Sequence, residues 1–436
     1  MGLLIGVGST RPQFPYDYYY GIEWDTTVSN PLVTRVGKVE LHQSLPIQSK
    51  MRRCVLKDDG TVNYYLHAND SALRDNGAAA DLTGASGQVM VEIPDMYVRF
   101  EMEGTKRRCL MSEYALPGFI KWSKDYVSAY EATVQRSTSK LASVVNNTPD
   151  FRGGNNQADW DALSKTQLGK PATNISLNNF RAYARNRGSV SWNCNTYQIQ
   201  RKLFWLFAVE YANFNSQDTF NAELTPDGYR QGGLGAGVTT LNGTAWSNFN
   251  GYYPVIPCGH TNSLGNRSGV VDYVMPAEYG TLTVQVPSYR GVENPFGHIR
   301  KWTDGCKCMI QSDADGGLSE FYVCDNPANF TSSGTANYQL RGNLPRTEGY
   351  IREVILGEYG EIMPLMIGAG STTYFCDYFY TSIPASGVSE RGVLFGGRAY
   401  YAGANAGFVY AYTNYAATSA NASFGSRLCF IPQIEA

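Results

Sequence analysis

Apolar residues recur at helical spacing in only two stretches of this 436-residue chain, and this scarcity limits what it can fold into. The first stretch begins after Ser176, whose hydroxyl can cap a helix, and ends before Gly188. In the second, Asn195 and Gln198 form a capping-box-like start for a helix that reaches about Asn213. We therefore predict two adjacent amphipathic helices in a chain that otherwise consists of strands and loops.

The remaining sequence consists of short β-type runs separated by Gly, Asn and Pro turn signals. Because these runs do not alternate regularly with helices, they predict an α+β class with long loops and not a parallel α/β sheet. The runs that define this pattern cover residues 53–56, 62–66, 89–100, 281–286, 321–324, 374–380, 391–395, 407–413 and 427–432.

Composition along the chain predicts three segments. Residues 1–50 are punctuated by Pro and Tyr without a helical period, which is typical of an extended attachment arm. Residues 51–87 hold strands and turn signals and predict a small β-rich module, with a boundary in the Ala- and Gly-rich stretch before residue 88. Residues 88–436 then form the main domain.

Charge and hydropathy exclude several classes of partner. The net charge is -2 and only 17% of residues are charged, so the chain lacks the basic field that gathers nucleic acid. No stretch approaches the roughly 18 apolar residues of a membrane span, which predicts no membrane insertion. The apolar N-terminal run lacks a basic start, so we expect synthesis in a cytoplasm without a secretory signal.

Residues that could carry catalysis are scattered. The four histidines and nine cysteines show no metal-ligand or nucleophile spacing, and Cys306 and Cys308 lack a second pair. Asp313 and Asp315 open a sequence like a calcium loop, but the distal Glu is missing. We predict a non-enzymatic protein without cofactor or metal, with calcium at Asp313–Gly316 as the alternative to a simple turn.

Residues 396–424 have an unusual composition. These 29 residues include nine Ala, five Tyr, two Phe and three Asn, and Arg398 is their only charge. Such a surface segment would favour aggregation unless it is buried between protomers or contacts a partner. Because Tyr, Ser, Asn and Gly are the residues of antibody paratopes, the composition favours contact, with an inert Tyr-rich hairpin as the alternative.

The same segment resembles the variable region of proteins diversified by diversity-generating retroelements. The resemblance rests on Gly396–Gly397, on residues 403–407 and on residues 424–430, and it extends to Glu293-Asn294-Pro295-Phe296-Gly297 upstream. It implies a C-type-lectin-like domain of the formylglycine-generating-enzyme-like branch, in which a terminal hairpin carries fixed Gly, Asn and Arg positions between diversified ones. The paired-cysteine copper site of the enzymes is not found, so their catalysis is not implied.

Strand alternation and the fixed glycines select the positions of the segment that we expect to contact a ligand. The predicted contact residues are Tyr400, Tyr401, Ala402, Phe408, Tyr410, Tyr412, Asn414, Tyr415, Ser419 and Asn421. Small residues that permit tight turns, and an amide and a guanidinium that can hold loop carbonyls, are predicted as the scaffold. These are Gly403, Asn405, Gly407, Gly425 and Arg427.

The resemblance implies a phage tail receptor-binding protein located in the virion. It implies binding to a bacterial surface protein or glycan through residues 396–430, and contact with other tail subunits through the N-terminal segment. A homo-oligomer, with a trimer favoured, is expected from the same resemblance. The alternatives are an oxidase of the formylglycine-generating class and a purely structural tail or adhesin subunit whose Tyr-rich segment is buried between protomers.

Overall fold

The computed structural model describes residues 16–238, 241–398 and 403–432. Within these ranges the protein is a mixed α+β structure dominated by strands, which confirms the predicted class. Four α-helices are present in the described residues, and none of them is long and apolar enough to cross a membrane. They are α1 (Val39–Ser44), α2 (Leu177–Arg185), α3 (Tyr197–Tyr211) and α4 (Gly243–Asn250).

Two sheets form the N-terminal side. The five-stranded sheet has the order β2-β1-β8-β7-β9, and the seven-stranded sheet has the order β13-β28-β10-β6-β3-β4-β5. The first contains β1 (Tyr20–Asp25), β2 (Thr34–Gly37), β7 (Met96–Glu103), β8 (Lys106–Ser112) and β9 (Ile120–Trp122). The second contains β3 (Arg52–Leu56), β4 (Val62–His67), β5 (Asp70–Arg74), β6 (Gln88–Ile93), β10 (Asp125–Ser128), β13 (Trp192–Cys194) and β28 (Leu428–Phe430).

The largest sheet carries the C-terminal half, in the order β21-β20-β19-β25-β26-β24-β22-β23, with β27 paired to β19. Its strands are β19 (Arg300–Gln311), β20 (Ser319–Val323), β21 (Gln339–Asn343), β22 (Gly349–Leu356), β23 (Glu361–Ile367), β24 (Tyr378–Tyr380), β25 (Val388–Phe395), β26 (Ala411–Tyr412) and β27 (Phe424–Gly425). Smaller sheets pair β11 (Thr133–Gln135) with β12 (Lys140–Ala142), β14 (Phe220–Asn221) with β15 (Gln231–Gly232), and β17 (Thr283–Tyr289) with β16 (Gly269–Val274) and β18 (Val292–Glu293).

The predicted segment boundaries fall inside this architecture. Strand β3 of the predicted small module pairs with β6, and the same sheet continues to the C-terminal strand β28. Tyr20 and Ile22 of the predicted arm are buried in the same core as Val55 and Val91. The boundary predicted at residue 87 therefore divides one continuous sheet. Part of residues 20–50, including Tyr20 and Ile22, packs in the core instead of forming an extended arm.

Helix α3 is the centre of the core. The helix is present as predicted, but it is not amphipathic, because all its residues except Gln198 are buried. Its charged residues Arg201, Lys202 and Glu210 are buried in ion pairs. Phe204 packs against Trp205 and Phe214 of the same region and against Phe375 from the C-terminal half. A helix buried all round is expected at the centre of a large domain.

The ends of the two predicted helices follow local hydrogen bonds. Ser176 accepts from the backbone N–H of Asn179 and caps α2, as predicted. The cap of α3 is Thr196, which accepts from Ile199 N, and not Asn195. The Asn195 amide instead donates to Thr303 Oγ1 at 2.8 Å, because this strand contact is available only in the folded chain.

We expect Phe204→Ala to lower the free energy of unfolding by about 3–5 kcal/mol, because the truncation leaves a cavity between α3 and the C-terminal half. Urea unfolding followed by circular dichroism measures the change. Leu163→Ala, at an exposed apolar side chain, is the matched control and should change stability by less than about 0.5 kcal/mol. Similar small effects from both variants would contradict the central position of α3.

Candidate functional site

The C-terminal segment enters the largest sheet through a two-residue strand. Strand β26 lies between β24, to which it is parallel, and β25, to which it is antiparallel. Further backbone bonds hold its flanks, from Gly396 N to Tyr410 O at 3.2 Å and from Thr413 N to Tyr380 O at 3.0 Å. The backbone at the start of the surface loop is therefore fixed on both sides by other strands.

Five half-buried tyrosines line up across these strands, and we call them the tyrosine row: Tyr350, Tyr378, Tyr380, Tyr412 and Tyr415. Successive ring centroids are 5.0, 4.5, 5.2 and 5.4 Å apart in that order. These separations are those of favourable aromatic pairs. Each ring therefore supports the next and keeps part of its surface exposed.

Arg300 contacts the tyrosine row from its buried side. Its guanidinium carbon lies 4.1 Å from the ring centroid of Tyr412, which is cation–π contact. Its Nε donates to the hydroxyl of Tyr410 at 3.1 Å. The side chain is buried, so this cation fixes the rings and adds little charge to the exposed surface.

Two predicted contact residues face the core. Phe408 is 1% exposed and Tyr410 is fully buried, so their predicted outward placement is wrong. The ring of Phe408 packs 5.2 Å from that of Phe207 and 5.7 Å from that of Phe296. The predicted alternation fails because residues 403–410 form a short 3-10 turn and bends, and only Ala411–Tyr412 is a strand.

The other predicted contact residues divide into two groups. Tyr412, Asn414, Tyr415, Ser419 and Asn421 are partly exposed and lie together on the row and the loop that follows it. The predicted contact residues Tyr400, Tyr401 and Ala402 lie outside the described residues.

The loop is held at both ends and along its length. Asn421 O accepts from Asn174 N at 2.9 Å, and Asn421 Oδ1 accepts from Ser423 N at 3.1 Å. At the other end of the loop, the Arg391 guanidinium donates to the carbonyl of Asn414. Between these anchors the loop has a fixed path on which Thr418 and Ala420 are exposed.

Asn405 connects the segment directly to the row. Its Oδ1 accepts from the hydroxyl of Tyr350, and its Nδ2 donates to the hydroxyl of Tyr380 at 2.8 Å. Gln217 Nε2 donates to the carbonyl of Gly403 at 3.1 Å and fixes the preceding turn. One amide thus positions two rings of the row.

The other predicted scaffold residues lie where the chain is tightly packed. A Cβ on Gly407 would come 2.0 Å from Asp377 Oδ1, and one on Gly425 would come 2.4 Å from Ile299 Cδ1. Arg427 donates to the backbone carbonyls of Glu293, of Asn294 at 2.7 Å and of Ser128 at 3.1 Å. No larger side chain fits at either glycine without displacement of its neighbour.

Sequence reasoning missed Tyr350, Tyr378, Tyr380 and Arg300. Strand β24 alternates Tyr, Phe and Tyr, and its central Phe379 is buried while both tyrosines are partly exposed. This alternation was a usable signal within the predicted run 374–380. Nothing local marks Arg300 or Tyr350, because each reaches the row from a distant strand.

Side chains that could hold a metal ion do not cluster in the part of the chain that the structure describes. All nine cysteines are free and buried, and no group of three or more His, Cys, Asp or Glu could hold a metal ion there. Asp313 Oδ1 lies 2.6 Å from the Arg346 guanidinium, and Asp315 accepts from Gly387 N at 2.6 Å. Residues 313–315 form a short 3-10 turn held by these contacts.

No protein-family model matches the chain, and no curated protein matches it. Among solved structures it is similar to one described as a Major Tropism Determinant U1 variant. The two are 12% identical, the match covers 88% of this chain and 73% of that chain, and the TM-score is 0.28. A TM-score this low does not assign the fold, so the functional conclusion below rests on the geometry of the tyrosine row and its loop.

Asp377 holds the backbone behind the row and is the titratable group of this site. Its Oδ2 accepts from Val409 N at 2.8 Å. Complete burial raises the pKa of Asp377 to about 8, against the opposing effect of the Val409 and Tyr410 N–H groups. The protonated carboxyl is therefore the form that the folded state favours at neutral pH.

We expect the contribution of Asp377 to stability to fall as pH rises from about 4 to about 8, because the folded protein retains a proton on Asp377 that the unfolded chain releases. Asp377→Asn should remove more than about 1 kcal/mol of this pH dependence, measured by urea unfolding at successive pH values. Asp75→Asn, at an exposed carboxylate, is the control. An unchanged pH profile in Asp377→Asn would contradict the assignment.

Proposed function

We propose that the protein is a non-enzymatic receptor-binding protein that recognises a bacterial surface ligand through the tyrosine row and loop 414–422. The observation that carries this proposal is the row itself, five partly exposed rings fixed by strands, by Asn405 and by Arg300. Rigid aromatic side chains offer contact area at low entropic cost, and nearby amides and hydroxyls supply directional hydrogen bonds. A tail protein in the virion of a bacteriophage would use such a face for host attachment.

The charge of the face limits its ligands. Within residues 403–432 the only charged side chain is Arg427, which is buried. Burial also keeps Arg300 from the surface. The proposed partner is therefore a surface protein or glycan bound through aromatic contacts and neutral hydrogen bonds.

The finer assignment follows the sequence resemblance. We propose that the domain belongs to the C-type-lectin-like class and that residues 396–430 are a diversified region on a fixed scaffold. In this proposal Tyr412, Asn414, Tyr415, Ser419 and Asn421 vary among copies, while Tyr350, Tyr378 and Tyr380 form a constant edge. Contact with other tail subunits through the N-terminal part, and assembly as a trimer, belong to the same proposal.

Replacement of Tyr378 and Tyr415 by Ala should weaken binding of fluorescently labelled protein to bacterial cells at least tenfold. A tenfold loss corresponds to about 1.4 kcal/mol, within the range of single aromatic contacts at interfaces. Binding is measured by flow cytometry on a panel of bacterial isolates, using the isolate that binds the unaltered protein best.

Tyr114→Ala is the matched control, because Tyr114 is an exposed tyrosine outside the row and should leave binding unchanged. Circular dichroism checks that both proteins are folded. Full binding by the Tyr378→Ala, Tyr415→Ala protein, or an equal loss in Tyr114→Ala, would contradict the proposal.

Binding should depend little on salt. A face made mainly of aromatic rings, amides and hydroxyls gains little from long-range attraction, so affinity should change less than about twofold between 50 and 500 mM NaCl. The same cell assay at two salt concentrations measures this. A tenfold or larger loss at high salt would show that charged groups elsewhere on the protein carry the binding.

The diversified region has a separate test in neighbouring DNA. A near-copy of the codons for residues 396–430, differing at adenine positions and lying beside a reverse-transcriptase gene, is expected. Its absence would contradict diversification and leave the binding face itself untouched.

A further inference from the structure

A cavity lies away from the tyrosine row. Its volume is about 680 Å³, and its lining includes the loop Thr83–Gly87, Gln88 and Arg187 but no residue of the row. Arg187 follows the end of helix α2, whereas Asn178 at the start of that helix contacts the loop carbonyl of Ala417. A nine-residue helix is about 13 Å long, so the two regions are separate surfaces.

Two buried side chains direct donors without a protein partner to this cavity. Arg187 is 6% exposed; its Nε donates to Leu141 O at 2.6 Å and its Nη1 to Asp58, but its Nη2 bonds to none of the described residues. Gln88 is 4% exposed; its Oε1 accepts from Ser143 N at 2.9 Å, and its Nε2 likewise has no partner in the described chain. Neither nitrogen is fully enclosed, so both keep contact with solvent, and both belong to residues that line the cavity.

Both donors are open to solvent, so water can satisfy them, and the acceptor atoms of a ligand can replace that water. Here both groups are donors, and the bond from Ser143 N fixes which end of the Gln88 amide faces the cavity. The complement of these two donors is a ligand with acceptor oxygens. A metal ion would meet them unfavourably.

The charges of the residues that line the cavity also favour a ligand with acceptor oxygens. Lys57, Lys140 and Arg187 contribute three positive charges against one negative charge from Asp58, a net of two in a chain whose own net charge is -2. Asp58 is bridged by Lys140 at 3.1 Å and by Arg187. The Lys57 ammonium forms no ion pair within 4 Å with the described residues, and the neighbouring Asp59 carboxylate offsets part of its charge.

The loop Thr83–Gly87 forms part of the cavity wall, and its backbone is left-handed at Gly84. Gly84 has a φ of +98°, and a Cβ there would come 2.9 Å from Val144 Cγ1, so a side chain at this position would be strained. The cavity volume lies within the usual range for small-molecule sites.

We propose that this cavity binds a small polar ligand of about sugar size that carries an oxyanion, either a carboxylate or a phosphate. The oxyanion accepts from Arg187 Nη2 and Gln88 Nε2 and is attracted by the Lys57 ammonium. The site is independent of the receptor-binding face, since no residue is shared between them.

Isothermal titration calorimetry with glucuronate, glucose 6-phosphate and glucose tests the proposal. At least one of the two acidic sugars should bind with a Kd at least tenfold lower than that of glucose. Preference for glucuronate identifies a carboxylate site and preference for glucose 6-phosphate a phosphate site, and either result supports the proposal.

Gln88→Glu is the decisive variant, because it keeps the acceptor for Ser143 N and replaces the free donor by a negative oxygen. Affinity for the acidic sugar should fall at least tenfold, and Lys57→Gln should lower it about threefold or more. Lys121→Gln, at an exposed lysine elsewhere, is the charge-matched control and should have no effect. Unfolding midpoints show whether each variant is folded.

The proposal would be overturned by no preference of the unaltered protein for either acidic sugar, or by undiminished binding in both Lys57→Gln and folded Gln88→Glu. An equal loss in Lys121→Gln would also overturn it, because binding would then follow net charge alone. Cell binding by the tyrosine row is a separate measurement, which the Lys57→Gln variant should leave unchanged.

Discussion

The buried guanidinium of Arg427 holds together the parts of the chain on which the tyrosine row and loop 414–422 depend. It bonds to backbone carbonyls of Ser128, Glu293 and Asn294, three residues from two other strands and the turn after them. Its charge is balanced in the core by Glu131, whose carboxylate also pairs with Lys301 at 2.9 Å and His298 at 2.6 Å. Burial would raise the pKa of Glu131, but Lys301 first and then His298 hold it at about 2. Loss of one member would leave an uncompensated buried charge, which is costly.

This arrangement explains how a segment with almost no charge of its own becomes an ordered surface. The two ends of the segment are fixed in the core, through Phe408 and Tyr410 on one side and Arg427 on the other. The loop between them needs few internal contacts, and its partly exposed residues rest on rings from β22 and β24. Because the rings already contact one another, little side-chain entropy remains to be lost when a ligand binds. The cavity lined by Gln88 and Arg187 depends on a different interaction, the hydrogen bonds that its donors can make to the acceptor atoms of a ligand.

Several elements could be predicted from local sequence because local hydrogen bonds and spacing define them. Ser176 caps α2 with its own neighbouring residues, and most of the short β runs are strands. The run 89–100 is two strands because Pro94 between them lacks an N–H for the ladder. The burial of Phe408 and Tyr410 could not be predicted, since alternation holds only within a strand. Their partners Phe207 and Arg300 are more than a hundred residues away in sequence. The partial exposure of Tyr378 and Tyr380 could be predicted from the alternation within β24, whereas nothing in the local sequence indicates that Tyr350 joins the row.

The sequence by itself determined the α+β class, the scarcity of helix and the tyrosine-rich composition of residues 396–424 with its single charge, because these depend on residue type and short-range spacing. Only the tertiary structure decided that α3 is buried on all sides, that the row includes tyrosines from β22 and β24, and that Phe408 and Tyr410 belong to the core. The tertiary structure also decided that Gln88 and Arg187 meet at one cavity. The physical reason is that burial and side-chain pairing depend on which distant strands become neighbours, and local pattern carries no information about that choice.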